Sequence, residues 1–171
     1  MRNKAVFLDR DGVINRDDGY VYQWEKFVFL EGVIQALKNI QSKNYLIFIV
    51  TNQSGIARGY YQEMDVKKLH RQLKNFLSIH GINITGIRFC PHHPDGSISQ
   101  YSFDCDCRKP KPGMLIELGD MFEVDFLNSY MIGDKQSDVS AGKLAGIKNS
   151  YLLGDDQYDF DSLFKFSLFL P

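Results

Sequence analysis

The sequence predicts an α/β fold in which a doubly wound, Rossmann-like parallel sheet carries helices on both faces. Short apolar runs of strand length alternate with segments of helical spacing along the chain, the pattern of repeated strand–helix units. Four of the apolar runs or their following loops deliver polar residues, and ligands of open α/β sheets bind just beyond the carboxyl ends of the strands. The 171 residues contain neither an internal repeat nor a linker. They suit a single domain, 1–171, with no room for a large cap domain.

Each element has its own signal. Ala5 to Leu8 is an apolar, partly β-branched run that reads as a buried strand and leads into Asp9-Arg10-Asp11-Gly12. Two carboxylates this close repel, so a cation or a shared proton is expected between them, although alone the pair reads equally as a solvated turn or helix cap. Asp17, Asp18 and Gly19 mark a loop or small hairpin within 15–22. A helix begins after Glu31-Gly32, with Val33, Leu37 and Ile40 on one face. Tyr45 to Val50 is the second strand and ends in Thr51-Asn52-Gln53-Ser54-Gly55. Gln62 to His80 forms a longer helix with Leu69, Leu73, Phe76 and Leu77 inward, closed by Gly81. Ile84 to Phe89 is a third strand, and 90–107 reads as an insertion without periodicity. Lys109-Pro110-Lys111-Pro112 keeps the chain extended before a helix near Gly113, with Met114, Leu115, Leu118 and Phe122 inward. Tyr130 to Ile132 is the fourth strand, running into Gly133-Asp134-Lys135; Ser137 or Asp138 caps the helix that ends at Gly146. Tyr151 to Leu153 is the fifth strand, and Phe160, Leu163, Phe164, Phe166, Leu168 and Phe169 are expected to pack on the sheet edge.

Composition excludes several classes. A formal net charge of −1 gives no general attraction to nucleic acid or membrane surfaces. No apolar run approaches the ~20 residues of a membrane span, and the N-terminus lacks a signal-peptide core, so a cytoplasmic protein is expected. Three cysteines fit a disulfide framework poorly and point to metal ligands or free thiols. All three lie in 90–107, as Cys90-x-His92 and Cys105-x-Cys107, a Cys₃His set suited to structural zinc, with His93 as the alternative fourth ligand. Ile98, Tyr101 and Phe103 are too few to make a core, so zinc would order this segment. Arg108 and Lys109 follow directly. Taken together, Asp9 and Asp11, Thr51 to Ser54, Arg108 with Lys109, and Asp134 with Lys135 surround one crevice with carboxylates, hydroxyls and cations. That set suits a phosphate with Mg²⁺, which takes hard oxygen ligands including one or two carboxylates.

The segments FLDRDGVIN (7–15), VTNQSGIARG (50–59), CPHHPDG (90–96), CDCRKPKPGM (105–114) and MIGDKQSD (131–138) resemble the haloacid dehalogenase superfamily of phosphatases. The resemblance is to the branch acting on histidinol phosphate and D-glycero-D-manno-heptose 1,7-bisphosphate, with the heptose enzymes closer through DGY at 18–20 and the CRKPKPG run. It implies that Asp9 attacks phosphorus to form an aspartyl-phosphate and that Asp11 is the general acid and base. Mg²⁺ would be held by Asp9, Asp134 and Asp11, the last through its backbone carbonyl. Thr51 and Lys109 would grip the phosphoryl group. Asp17, Asp18, Gly19, Tyr20, Asn52, Gln53, Ser54, Arg108 and Lys135 would bind substrate or line its pocket. Among the two histidines the family pattern favours His92 for zinc. The implied reaction is removal of the 7-phosphate from the heptose bisphosphate, a small-molecule sugar phosphate, in nucleotide-heptose assembly for lipopolysaccharide or surface glycan. Histidinol phosphate is the alternative substrate, and a monomer is expected. Two readings from other classes compete: a receiver domain, whose phosphorylated aspartate lies on a middle strand rather than the first, and a non-catalytic zinc-stabilised binding module, which has no need of the full acidic, hydroxyl and lysine set.

Overall fold

The computed structural model describes residues 2–154 and 159–171. Among these residues, five strands occur: β1 (Ala5–Leu8), β2 (Leu46–Asn52), β3 (Gly86–Cys90), β4 (Tyr130–Gly133) and β5 (Asn149–Leu152). They form one parallel sheet in the order β3-β2-β1-β4-β5. The helices are α1 (Val33–Ser42), α2 (Glu63–Ile79), α3 (Gly113–Met121), α4 (Gln136–Ala145) and α5 (Leu163–Phe169). The chain winds outward from β1 through β2 to β3, then returns to β1's other side for β4 and β5. That reversal opens a crevice at the carboxyl end of β1, where open α/β sheets bind their ligands.

Strand alternation assigns the two cores. Val6 and Leu8 of β1, with Ile47 and Ile49 of β2, face a core built from α1, α2 and α5 through Leu37, Leu73 and Phe166. Ala5, Phe7, Phe48 and Val50 point the other way, onto Met114, Leu115 and Leu118 of α3 and Ala141 of α4. β1 is buried at every position, as a central parallel strand covered on both faces should be. Val13 is likewise a packing residue in the first core. No helix of the described residues is long and apolar enough to cross a membrane.

Two expectations need correction, and of the two expected caps of α4 the structure uses Asp138. β2 runs two residues further than its apolar core, so Phe48 to Asn52 pair with Gly86 to Cys90, and the third strand starts later and ends at Cys90. The first cysteine of the insertion is thus part of the sheet. The first turn of α4 is capped from within: the Asp138 carboxylate accepts the backbone N–H of Lys135 at 3.0 Å. The aromatic tail does not pack as a whole on the sheet edge. α5 lies against α1, with Leu163 and Phe166 inward, whereas Leu168 and Phe169 are exposed, because a helix this short buries only one stripe.

Candidate active site

Backbone geometry at two glycines brings the acidic residues together. Gly12 turns the chain away from β1 with φ +85°, and a Cβ there would stand 2.4 Å from Asp134 Oδ2. A Cβ on Gly133 would stand 2.1 Å from the Cβ of Asp138. With both side chains reduced to hydrogen, Asp9, Asp134 and Asp138 converge, each offering an oxygen within 4.8 Å of the others. Lys109 enters from the end of the insertion. Its ammonium lies 2.8 Å from Asp9 Oδ1, 2.6 Å from Asp138 Oδ1 and 2.7 Å from the Val50 carbonyl, so all three of its hydrogens have acceptors. A reciprocal pair of hydrogen bonds seats its backbone: Lys109 N donates to Asn52 Oδ1 at 3.1 Å, and Asn52 Nδ2 donates to the Lys109 carbonyl at 3.0 Å.

The electrostatics leave this cluster short of positive charge. Burial pushes the Asp9 carboxyl up, against the pull of Lys109. Burial would lower Lys109, yet Asp9 and Asp138 outweigh it and hold the ammonium above the ordinary lysine value. Asp134 is pushed up to about 6, by burial first and by the charge of Asp9 second. Three carboxylates meet two ammoniums, of which Lys135, 3.7 Å from Asp134 Oδ2, is exposed and shared with Asp17, and Asp134 Oδ1 is buried without a hydrogen-bond partner among the described residues. Excess negative charge, a small polyhedron of carboxylate oxygens and an orphaned acceptor fit a hard divalent cation.

Asp11 faces a different environment. Its carboxylate accepts from Arg10 Nη2, Asn15 Nδ2 and Gln53 Nε2, all at 2.9 Å. Arg10 is wholly buried; it also donates to the Val21 carbonyl at 2.6 Å and meets His70 Nε2 of α2 at 3.1 Å. Burial, then the Arg10 charge, holds His70 well below the ordinary histidine range, so it is a neutral acceptor for the guanidinium. Thr51 is buried, and its hydroxyl oxygen accepts from Gln53 Nε2 at 2.9 Å.

Asp9, Asp11, Thr51, Lys109 and Asp138 share a cleft of about 250 Å³. Of the expected substrate residues, Asp17, Gly19, Tyr20, Asn52, Gln53 and Ser54 line it. Lys135 closes the rim through a 3.1 Å ion pair with Asp17. Asp18 does not reach the cleft, since it pairs with Arg16 at 2.6 Å on the surface. Arg108 does not line it either; its guanidinium donates to the His92 carbonyl at 3.2 Å. Lys111 is tied to Asp104 at 2.6 Å, outside the cleft.

The cysteines make a second centre. Cys90 Sγ lies 3.5 Å from Cys105 Sγ and 3.6 Å from His92 Nδ1, while Cys107 Sγ lies 3.3 Å from Cys105 Sγ and 3.4 Å from His92 Nδ1. A tetrahedron with Zn–S of about 2.3 Å and Zn–N of about 2.0 Å has edges of roughly 3.6–3.8 Å, so the donors are nearly at coordination spacing. Hydrogen bonds, chiefly from Cys90, hold the Cys107 thiol down at about 5, leaving a thiolate at neutral pH. His93 stands apart, with Nδ1 accepting the Asp95 backbone N–H at 3.1 Å and Nε2 near Arg58. Asp138, Ser137 and Tyr61 were not marked as site residues by the sequence. Asp138 alone carried a signal, a second carboxylate one helical turn beyond Asp134.

A phosphatase of the haloacid dehalogenase type is the class that this sheet order, with its acidic cluster at the β1 and β4 ends, defines. The sequence matches the polynucleotide kinase 3 phosphatase family over residues 6–167, and the chain belongs to that family. It is 47% identical over 147 residues to the D-glycero-alpha-D-manno-heptose-1,7-bisphosphate 7-phosphatase of Burkholderia mallei, across 86% of this chain and 78% of the relative. It is 48% identical over 146 residues to the D-glycero-beta-D-manno-heptose-1,7-bisphosphate 7-phosphatase of Pasteurella multocida, across 85% of this chain and 79% of the relative. The solved D,D-heptose 1,7-bisphosphate phosphatase from B. bronchiseptica, complexed with magnesium and phosphate, matches with a TM-score of 0.77 and 31% identity over 98% of this chain and 88% of that one. The chain is therefore an enzyme, a hydrolase of phosphate esters.

Proposed function

We propose that this phosphatase removes the 7-phosphate of D-glycero-D-manno-heptose 1,7-bisphosphate. The observation that carries the reading is that enzymes so named share nearly half their residues with this chain over more than four-fifths of its length. The narrow polar cleft agrees with a small phosphorylated sugar. In this reading the enzyme is a cytoplasmic monomer of one domain, 1–171, that meets its substrate free in solution.

Asp9 attacks phosphorus, the ester P–O bond breaks, and Asp11 gives its proton to the departing sugar oxygen. Water then attacks the aspartyl-phosphate, Asp11 takes the proton, and phosphate leaves with Asp9 restored. Every group now bonded to the Asp11 carboxylate is a donor, which is the state suited to this second half. Lys109 sits against Asp9 Oδ1 and so faces the ester as it forms, while Thr51 offers a hydroxyl to a phosphoryl oxygen. Asp9, Asp134 and the Asp11 carbonyl hold Mg²⁺, with Asp138 beside them neutralising Lys109. When bound, Mg²⁺ supplies positive charge to the phosphoryl oxygens as negative charge builds on them. Asp17, Gly19, Tyr20, Asn52, Gln53, Ser54 and Lys135 surround the sugar, with Arg108 and Asp18 reaching it only after a side-chain movement. Cys90, His92, Cys105 and Cys107 hold a structural zinc that fixes the segment presenting Arg108 and Lys109.

Phosphate release from the α and β anomers of the heptose bisphosphate and from histidinol phosphate, compared in one assay, tests the substrate. A heptose anomer should give the highest kcat/KM, and Asp9→Asn should abolish release from it. A preference for histidinol phosphate would replace this reading with an amino-acid biosynthetic one.

A further inference from the structure

We propose that Tyr61 is a positioning residue whose phenol sets the orientation of the Gln53 amide and, through it, the hydrogen-bond direction of Asp11 and Thr51. The inference rests on the roles just given to Asp11 and Thr51. Tyr61 is buried beside Ile56 and Val66, its ring stacked on Tyr22 at 4.7 Å and 20°. It fits there because position 55 is glycine; a Cβ would stand 2.2 Å from its ring. The phenol O–H donates to Gln53 Oε1 at 2.8 Å, and Gln53 Nε2 lies 2.9 Å from both Asp11 Oδ2 and Thr51 Oγ1.

The polarity of this chain follows from what each group can give. Gln53 presents its NH₂ to the same Asp11 Oδ2 that Arg10 Nη2 reaches at 2.9 Å, the acceptor-only arrangement that the hydrolytic half of the reaction requires. Burial raises the pKa of Tyr61, which keeps its proton and donates it to the amide oxygen. The second Gln53 hydrogen then goes to Thr51, which must accept. The Thr51 hydroxyl hydrogen therefore has no acceptor on Gln53 and is available to the cleft, where a phosphoryl oxygen needs a donor. Without the phenol, Gln53 Oε1 loses its partner and the amide is free to turn. Turned, it sets an oxygen against Asp11 and draws the Thr51 hydrogen away from the phosphoryl group. The loss falls on the chemical step, because neither Tyr61 nor Gln53 changes the charge that binds substrate.

The test uses wild type, Tyr61→Phe, Gln53→Ala and the double variant, with p-nitrophenyl phosphate and the heptose bisphosphate as substrates. Tyr61→Phe should lower kcat about tenfold or more, as small misplacements of reacting groups do, with KM within about twofold. In the Gln53→Ala background the same substitution should have no further effect, since its route is gone. Gln53→Glu keeps the acceptor for Tyr61 and removes the donors; although isosteric, it should be more damaging than Gln53→Ala, an order that loss of packing alone would reverse. Rates are compared at a temperature where every variant is folded, so a lower melting point of Tyr61→Phe leaves the double-variant comparison decisive. Undiminished kcat in Tyr61→Phe, losses that multiply in the double variant, or a milder Gln53→Glu overturns the proposal. A wild-type enzyme inactive on both substrates overturns the functional reading and this inference with it.

Discussion

At the scale of single residues, the site depends on groups whose charge is tolerable only in company. Lys109 is the clearest: it is buried against Asp9 and Asp138, and its three hydrogens are all accepted. Lys109→Met retains much of the side-chain volume but leaves two buried carboxylates without their counter-charge. Breaking a buried pair from one side costs about 3–5 kcal/mol, so urea unfolding of the metal-free variant at pH 7.5 should show a loss of that size. Turnover should fall as well, since the cation facing Asp9 is gone. An unfolding free energy equal to wild type would mean that water, not Lys109, compensates these carboxylates. Arg10 shows why such roles hide in a sequence. Nothing in its place between two aspartates marks it as a core residue, yet it is wholly buried and meets His70, 60 positions away along the chain. Only the packing of α2 across the sheet discloses the pair.

At the scale of elements, the cysteine-bearing segment is expected to act as a brace for the active site. It leaves the sheet at Cys90, runs to Cys107, and delivers Lys109 two residues later. Its own apolar contacts are few, so its order is expected to come from metal binding. Cys105→Ser should lower the zinc content of purified protein from about one per chain, expose the 90–107 segment to protease, and reduce kcat through the displaced Lys109. Zinc-free protein with unchanged proteolysis and turnover would remove the metal from this account. The strands and main helices were legible in the sequence because apolar runs and 3.6-residue spacing report burial directly. The spacing of the cysteines likewise anticipated their cluster. Less legible were features set by neighbours. Cys90 joins the sheet because β2 extends to Asn52, and Asp138, expected as a helix cap, enters the acidic cluster because the first turn of α4 brings it within reach of Asp9 and Asp134. Leu168 and Phe169 look like core residues until α5 settles on α1 with its other face inward.

At the scale of the whole molecule, the charge imbalance at the sheet's carboxyl edge couples stability to pH and to divalent metal. Asp134 titrates near 3.8 when exposed and at about 6 in the metal-free fold. Between those values the folded state binds more protons than the unfolded one. The metal-free protein therefore loses stability as pH rises through that window, the reverse of a salt-bridged aspartate. Asp9, raised in the same direction, adds to the effect. A cation that binds only the folded, ionised site reverses it, because protons and metal compete for the same oxygens. At pH 7.5, Mg²⁺ at about 100 times its Kd should add roughly 2.7 kcal/mol and raise the melting temperature by about 5–10 °C for a chain of this size. At pH 5 the same Mg²⁺ concentration meets a largely protonated Asp134, and the shift should shrink to a fraction of that value. Thermal melts of dialysed protein with and without Mg²⁺ at the two pH values measure the difference. Equal shifts at both pH values would show that the metal is held by groups other than these carboxylates.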